Sequence, residues 1–275
     1  MSRRFVKKKL AGVVTRGKTA RNRLRRVDNF VAVYDPRLLS RRDGAFQDAV
    51  WVDLGYGGEP FTALETASRW RRVAPDLHGV GIEIEPERVE RALPFADASM
   101  EFRLGGFNMP LDPERPARLV RAFNVLRQYP PEAVDEALAD LAVGVLPGGL
   151  LIEGTSDPPG RVWVANVLRR QAPDLEPWRR EALVFSTNFR SGLDPLLWQA
   201  VLPKDLIHRM EPGHHIHDFF EHWKESLRDT RSWSDWGARQ WFGAAASRLR
   251  EHGYRIDLRR RRLRQGFLIW QRPEL

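Results

Sequence analysis

The chain has no cysteine among its 275 residues. That absence removes disulfides, thiolate zinc sites, cysteine-ligated iron–sulfur clusters and any catalysis through a covalent thiol adduct. Long apolar runs are missing as well. No stretch approaches the roughly 18 uncharged apolar residues of a membrane span, and the basic first residues lack the apolar segment of a secretory leader, so a cytoplasmic location is expected. Acid is scarce at one end only: residues 1–30 hold eleven Lys or Arg against one acid, Asp28. The other 34 basic and 35 acidic residues nearly balance, so the net charge of +9 is a property of the N-terminal stretch. A 42% hydrophobic content supplies a real core and fits one large α/β domain, or a domain with an appendage.

What is present centres on residues 49–61, Ala-Val-Trp-Val-Asp-Leu-Gly-Tyr-Gly-Gly-Glu-Pro-Phe. An apolar run ends in a carboxylate, Asp53, and then in Gly55, Gly57 and Gly58, which reads as a buried parallel strand entering a tight turn. Pro60 suits the first turn of a helix, and strand, glycine turn and helix N-terminus together make a nucleotide cradle. A dinucleotide fingerprint requires Gly-x-Gly-x-x-Gly, but Pro60 holds the sixth position and an acid lies two residues before the first glycine. A ligand that carries a cationic sulfonium and an ammonium without phosphate suits that acid better.

These residues, with Asp53-x-Gly55-x-Gly57 at their centre, resemble the opening motif of class I S-adenosylmethionine-dependent methyltransferases; Glu59 stands where that family usually has a third glycine. A second strand, Gly79-Val-Gly-Ile-Glu-Ile-Glu, follows about thirty residues after Asp53. The resemblance implies that its terminal acid, Glu83, holds the ribose hydroxyls, and a carboxylate does accept two hydrogen bonds from a vicinal diol. Glu85 is the rival, read first as a helix cap. The third strand, Met100-Glu-Phe-Arg-Leu, opens into Gly105-Gly-Phe-Asn108, where Phe107 either stacks on the adenine, with Asn108 as polar contact, or belongs to the core. Residues 119–126 read as a fourth strand ending in Asn124-Val-Leu, which the resemblance implies lies beside the methyl group. Leu146-Pro-Gly-Gly-Leu-Leu-Ile resembles the family's fifth strand and the turn before it.

The resemblance spans about residues 48–155. It implies an α/β fold, a Rossmann-like seven-stranded mainly parallel sheet with helices on both faces, an antiparallel C-terminal hairpin and a basic helical extension. The extension is expected at residues 1–35, with residues 1–18 mobile or weakly helical and an amphipathic helix after Thr19 carrying Arg21, Arg23, Arg25 and Arg26 on its outer face. The methyltransferase domain would fill 36–275, with 156–230 as an acceptor-side insertion. S-adenosylmethionine is the implied cofactor, bound by Asp53, Gly55, Tyr56, Gly57, Glu83, Ile84, Gly106, Phe107 and Asn124. The implied reaction is methyl transfer to oxygen or nitrogen; the missing cysteine excludes nucleobase C5 methylation through a thiol adduct.

Three residues are candidates for acceptor chemistry: Asn124, Asp157 and His217. Four of the seven histidines fall within residues 214–222, where His217 and Glu221 lie one helical turn apart; a loop entering a helix over the acceptor pocket is the preferred reading, and no metal is expected. Asp157, in Ser156-Asp-Pro-Pro-Gly160, resembles the Asp-Pro-Pro-aromatic element of enzymes that methylate nucleobase amines, with Gly160 in place of the aromatic. The tryptophans, including Trp233, Trp236 and Trp241, are read as core, and the arginines at 259–262 as a hairpin tip or an anion-binding surface. Three acceptor readings stay open: RNA or the ribosome, recruited through residues 1–30; a small metabolite; or no acceptor at all, in a silent protein that only binds the donor.

Overall fold

The computed structural model describes residues 10–273 and 275. Eight strands form one sheet: β1 Val50–Leu54, β2 Gly79–Glu83, β3 Met100–Leu104, β4 Ala117–Phe123, β5 Val145–Ser156, β6 Val162–Arg170, β7 Trp178–Thr187 and β8 Phe267–Gln271. Their order is β3-β2-β1-β4-β5-β6-β7-β8. The first five pair in parallel, and β6, β7 and β8 add on as an antiparallel meander. Fold class and both-face helices follow the expectation, with eight strands in place of seven.

The helices are α1 Arg25–Tyr34, α2 Pro36–Ser40, α3 Phe61–Trp70, α4 Pro86–Ala92, α5 Ala133–Gly144, α6 Leu196–Gln199, α7 Lys204–Ile207, α8 His215–Asp229, α9 Ala238–Glu251 and α10 Arg260–Arg264. Strand alternation sorts them between faces. Trp51, Leu119 and Ile152 meet Val27, Phe30 and Val31 of α1 and Ala63, Ala67 and Trp70 of α3, in a core that continues across Trp163 and Val184 to Ile269. On the opposite face Val52, Val80, Val120 and Leu151 pack under Val134, Ala137 and Leu141 of α5. Farther along that face Val164, Phe185 and Leu268 meet α8 and α9 through Phe219, Trp223, Phe242 and Leu249.

Three expectations change in the second half. Segment 156–230 reads as an insertion, but the strands expected at 161–168 and 182–189 within it are β6 and β7, full members of the sheet, with helices after them. The hairpin expected from Tyr254 onward is reduced to a single bridge, Ile256 with Trp270, because residues 260–264 coil into α10 and turn buried Arg262 onto Asp257 and the carbonyls of Val33 and Tyr34. Trp233 and Trp236 are exposed, not core; they sit in a 3-10 segment, residues 231–236, that contributes no buried side chain.

Candidate functional site

In an open α/β sheet the ligand crevice lies at the carboxyl ends of the strands where the order reverses, here between β1 and β4. The turn after β1 and the end of β4 meet there. Gly55 and Gly57 have φ of 68° and 93°, a conformation that suits glycine, and Asn124 takes the same left-handed region at 62°. Asn124 joins two strand ends: Ser156 N–H donates to its Oδ1 at 3.0 Å, and its Nδ2 donates to Ser156 Oγ at 3.3 Å. Asp53, Gly55, Tyr56, Gly57 and Asn124 line a cavity of about 230 Å³ with Arg23, Thr62, Arg127 and residues 15–19.

The remaining expected cofactor residues, Glu83, Ile84, Gly106 and Phe107, line the adjoining groove with Leu54, Val125 and Tyr129. That groove is occupied by the chain. Residues 11–17, expected to be mobile or weakly helical, run extended through it. Ala11 N–H donates to Asn108 Oδ1 at 3.2 Å, and Phe107 N–H donates to Ala11 O at 2.8 Å. The Tyr129 hydroxyl accepts from Val13 N–H at 2.6 Å and donates to Val13 O at 2.9 Å. Farther on, Arg88 Nη2 reaches Thr15 O, Arg16 N–H reaches Gln128 Oε1, and Gly58 N–H donates to Gly17 O. The space left beside this strap is about 20 Å³, room for one water.

The two signature carboxylates are engaged. Glu83 accepts from Gly57 N–H at 3.1 Å, from Ile84 N–H at 3.2 Å and from Arg88 Nη1 at 3.1 Å. Asp53, 2% exposed, is gripped by Arg121 through Nε at 3.1 Å and Nη2 at 2.7 Å, and by the Thr62 hydroxyl at 3.0 Å. Arg121 extends the network to Asp28 on α1, which also takes Arg69 from α3. Burial works against the Arg121 charge, but Asp53 and Asp28 outweigh it and hold the guanidinium above its ordinary value. Glu85 pairs with Arg88 at 2.5 Å and does not cap α4. The Tyr56 ring packs edge-on against Phe102, while buried Phe107 packs against Tyr129 at 5.1 Å.

Cations face the larger cavity. Burial lowers both Arg23 and Arg127 from the usual arginine range. Arg23 donates to Ser156 Oγ and to Ser156 O, whereas Arg127 has no hydrogen bond or ion pair among the described residues. Burial likewise raises the Tyr129 hydroxyl.

Sequence reasoning did not find Arg88, Arg121, Tyr129 or the strap. The arginine inside the apolar run of β4 was the available signal for Arg121. The other two acceptor candidates lie outside both cavities. Asp157 Oδ1 accepts from the amides of Arg161 and Val162, which closes the turn into β6. His217 contacts Asp218 at 3.4 Å. Among the described residues the one metal-competent grouping is His222, Glu225 and His252, which does not include His217 or Glu221; its contacts are a ring stack at 4.6 Å and an ion pair at 3.8 Å.

Five parallel strands in the order β3-β2-β1-β4-β5, with the Asp-x-Gly-x-Gly turn at the reversal and an acid ending β2, settle the architecture. The fold is that of the class I methyltransferases. No family model and no curated protein matches the sequence. Solved structures similar to this methyltransferase fold include CalS10, an amino pentose methyltransferase from Micromonospora echinaspora, at 18% identity over 62% of this chain and 69% of that one, with a TM-score of 0.36. Another is LepI in complex with S-adenosylmethionine, at 17% identity over 43% of this chain, with a TM-score of 0.35; the chain spans only 29% of LepI. Human N-acetylserotonin methyltransferase shares 22% identity over 49% of this chain and 38% of its own length, with a TM-score of 0.31. No helix among the described residues is long and apolar enough to cross a membrane.

Proposed function

We propose that the chain binds S-adenosylmethionine at the carboxyl edge of its sheet and transfers the methyl group to an oxygen or nitrogen of a small molecule. The observation that carries this reading is convergence: the turn at Gly55 and Gly57, the β2 acid Glu83, the loop at Gly106 and Phe107, and Asn124 all border one crevice at the strand reversal. On this reading the amino-acid half of the donor occupies the 230 Å³ cavity beside Gly55, Gly57 and Asn124. Its adenosine half belongs along Glu83, Ile84, Gly106 and Phe107, where it does not fit while residues 11–17 stand in the groove. The donor supplies an already electrophilic methyl, so the protein's task is to align the reactants and exclude water.

A small acceptor is favoured over RNA by where the basic residues go. Arg23 and Arg26 turn inward to Ser156, Ser186 and the carbonyl of Gln265, and Arg21 lies over the Phe61 ring at 4.3 Å. The outer cationic helix face expected from the sequence is therefore largely spent on the body. Arg3, Arg4 and Lys7 to Lys9 lie outside the described residues.

Calorimetry with S-adenosylhomocysteine tests the reading. Binding in the micromolar range is expected, about −7 to −8 kcal/mol. Glu83→Gln should weaken it by about 1–3 kcal/mol, because a charged acceptor is lost beside the ribose. No binding, or a nicotinamide cofactor bound in its place, overturns the assignment.

A further inference from the structure

The glycines of the cofactor loop make room here for the chain itself. A Cβ on Gly106 would stand 1.9 Å from the carbonyl oxygen of Ala11, and one on Gly57 would stand 2.7 Å from that of Gly17. Both glycines admit backbone where the fold leads one to expect a ligand. The strap also uses the polar groups a ligand would use: the amides of Phe107 and Gly58, the Tyr129 hydroxyl and the Gln128 side chain. Yet it buries little apolar surface. Leu10, Val13 and Val14 are all exposed, Val13 by 59%, so docking rests on hydrogen bonds that water replaces at modest cost.

We propose that residues 11–17 are an intrasteric occupant of the donor groove, so that docked strap and bound donor exclude one another. This rests on reading the groove as the donor site. The exclusion is steric, because the 20 Å³ beside the strap holds no nucleoside. Release needs no rearrangement of the sheet: among the described residues the strap belongs to no helix or strand, and Glu83 keeps Arg88 and the Gly57 and Ile84 amides when Thr15 departs. The apparent donor affinity is then the intrinsic affinity multiplied by the fraction of molecules with the groove open. A strap docked nine times in ten lowers it roughly tenfold.

Two full-length variants and one protease separate the outcomes. Val13→Pro removes the N–H that donates to Tyr129, at an exposed position outside every element, and Tyr129→Phe removes the hydroxyl on the other side of the same contact. Trypsin cleavage after Arg16 and Lys18, read by mass, reports whether the strap is docked. Val13→Pro should bind S-adenosylhomocysteine roughly tenfold more tightly than the parent chain, with Tyr129→Phe shifted the same way. Saturating S-adenosylhomocysteine should speed cleavage of the parent at both sites. Equal affinities in all three chains, with cleavage unchanged by ligand, overturn the exclusion and leave the donor reading standing. If Val13→Pro opens the strap to trypsin and no chain binds S-adenosylhomocysteine, the donor reading fails and the exclusion falls with it.

Discussion

Glu153 lies buried on β5, with Oε2 accepting from Asn166 Nδ2 at 3.1 Å and Oε1 without a partner among the described residues. Burial, reinforced by Asp205, raises its carboxyl from 4.5 to about 8, so the folded protein holds this group neutral at pH 7. The neutral form fits its surroundings, since a protonated oxygen gains a donor and Asn166 Oδ1 is a buried acceptor that lacks one. The folded state binds this proton more tightly than the unfolded chain, so the stability it gives is complete below pH 4.5 and is lost as pH rises toward 8. Inside that window the loss approaches about 1.4 kcal/mol per pH unit. Glu153→Gln, always neutral and still able to accept from Asn166, should flatten this dependence and be the more stable form at pH 8 and above. Urea unfolding of both proteins at several pH values measures it; parallel curves would show that Glu153 does not titrate in this range.

Arg121 ties four elements together, since β4 holds it between Asp53 on β1, Asp28 on α1 and Thr66 on α3. Its side chain is 0% exposed, and removing it leaves buried Asp53 with the Thr62 hydroxyl alone, while Asp28 keeps Arg69 and Thr66. Arg121→Met should cost about 3–5 kcal/mol in urea unfolding, and a loss below about 1 kcal/mol would show that water reaches the network. These contacts also mark where reading the sequence stops. Of the first five strands, four were legible as mainly apolar runs bounded by glycine, proline or an acid and β3 by its alternation of Glu101 and Arg103 with apolar residues, and the glycine turn and Glu83 lie at strand ends that such patterns locate. Arg121 reads only as a polar residue in an apolar run; its partners lie 68 and 93 residues away, and periodicity carries no long-range pairing. Residues 11–17 dock mainly through backbone groups that every residue possesses, so no side-chain pattern announces them. Arg262 reads as one more cation in a run, and only the fold brings Asp257 and the end of α1 to it.

At the scale of the molecule, the question is whether the parallel half and the antiparallel half stand or fall together. On one face they have separate cores, one under α5 and one under α8 and α9, and the seam between them is polar: Glu153, Asn166, Asp205 and Arg180. Were this the only junction, the helical cap could melt alone. The opposite face argues otherwise, because one contiguous apolar cluster runs from Trp51 on β1 to Ile269 on β8, past the buried Arg121 network. At its middle Trp163 of β6 meets Phe30 of α1 edge-on at 5.6 Å and Phe123 of β4 at 5.9 Å, so the N-terminal helix lies across the junction. The sheet hydrogen bonds are continuous too, with β5 paired to β4 through residues 117–123 and to β6 over its last seven residues. A chain of this size often unfolds in stages, yet loss of either half here exposes the shared core of the other. One cooperative transition is therefore expected. Eight of the ten tryptophans follow residue 160, so fluorescence reports mainly on the antiparallel half and its cap, while far-UV circular dichroism reports on both halves. The two urea curves should share midpoint and slope. A fluorescence change complete at lower urea, before the dichroism has fallen, would mean that the cap unfolds alone and that the shared core does not couple the halves.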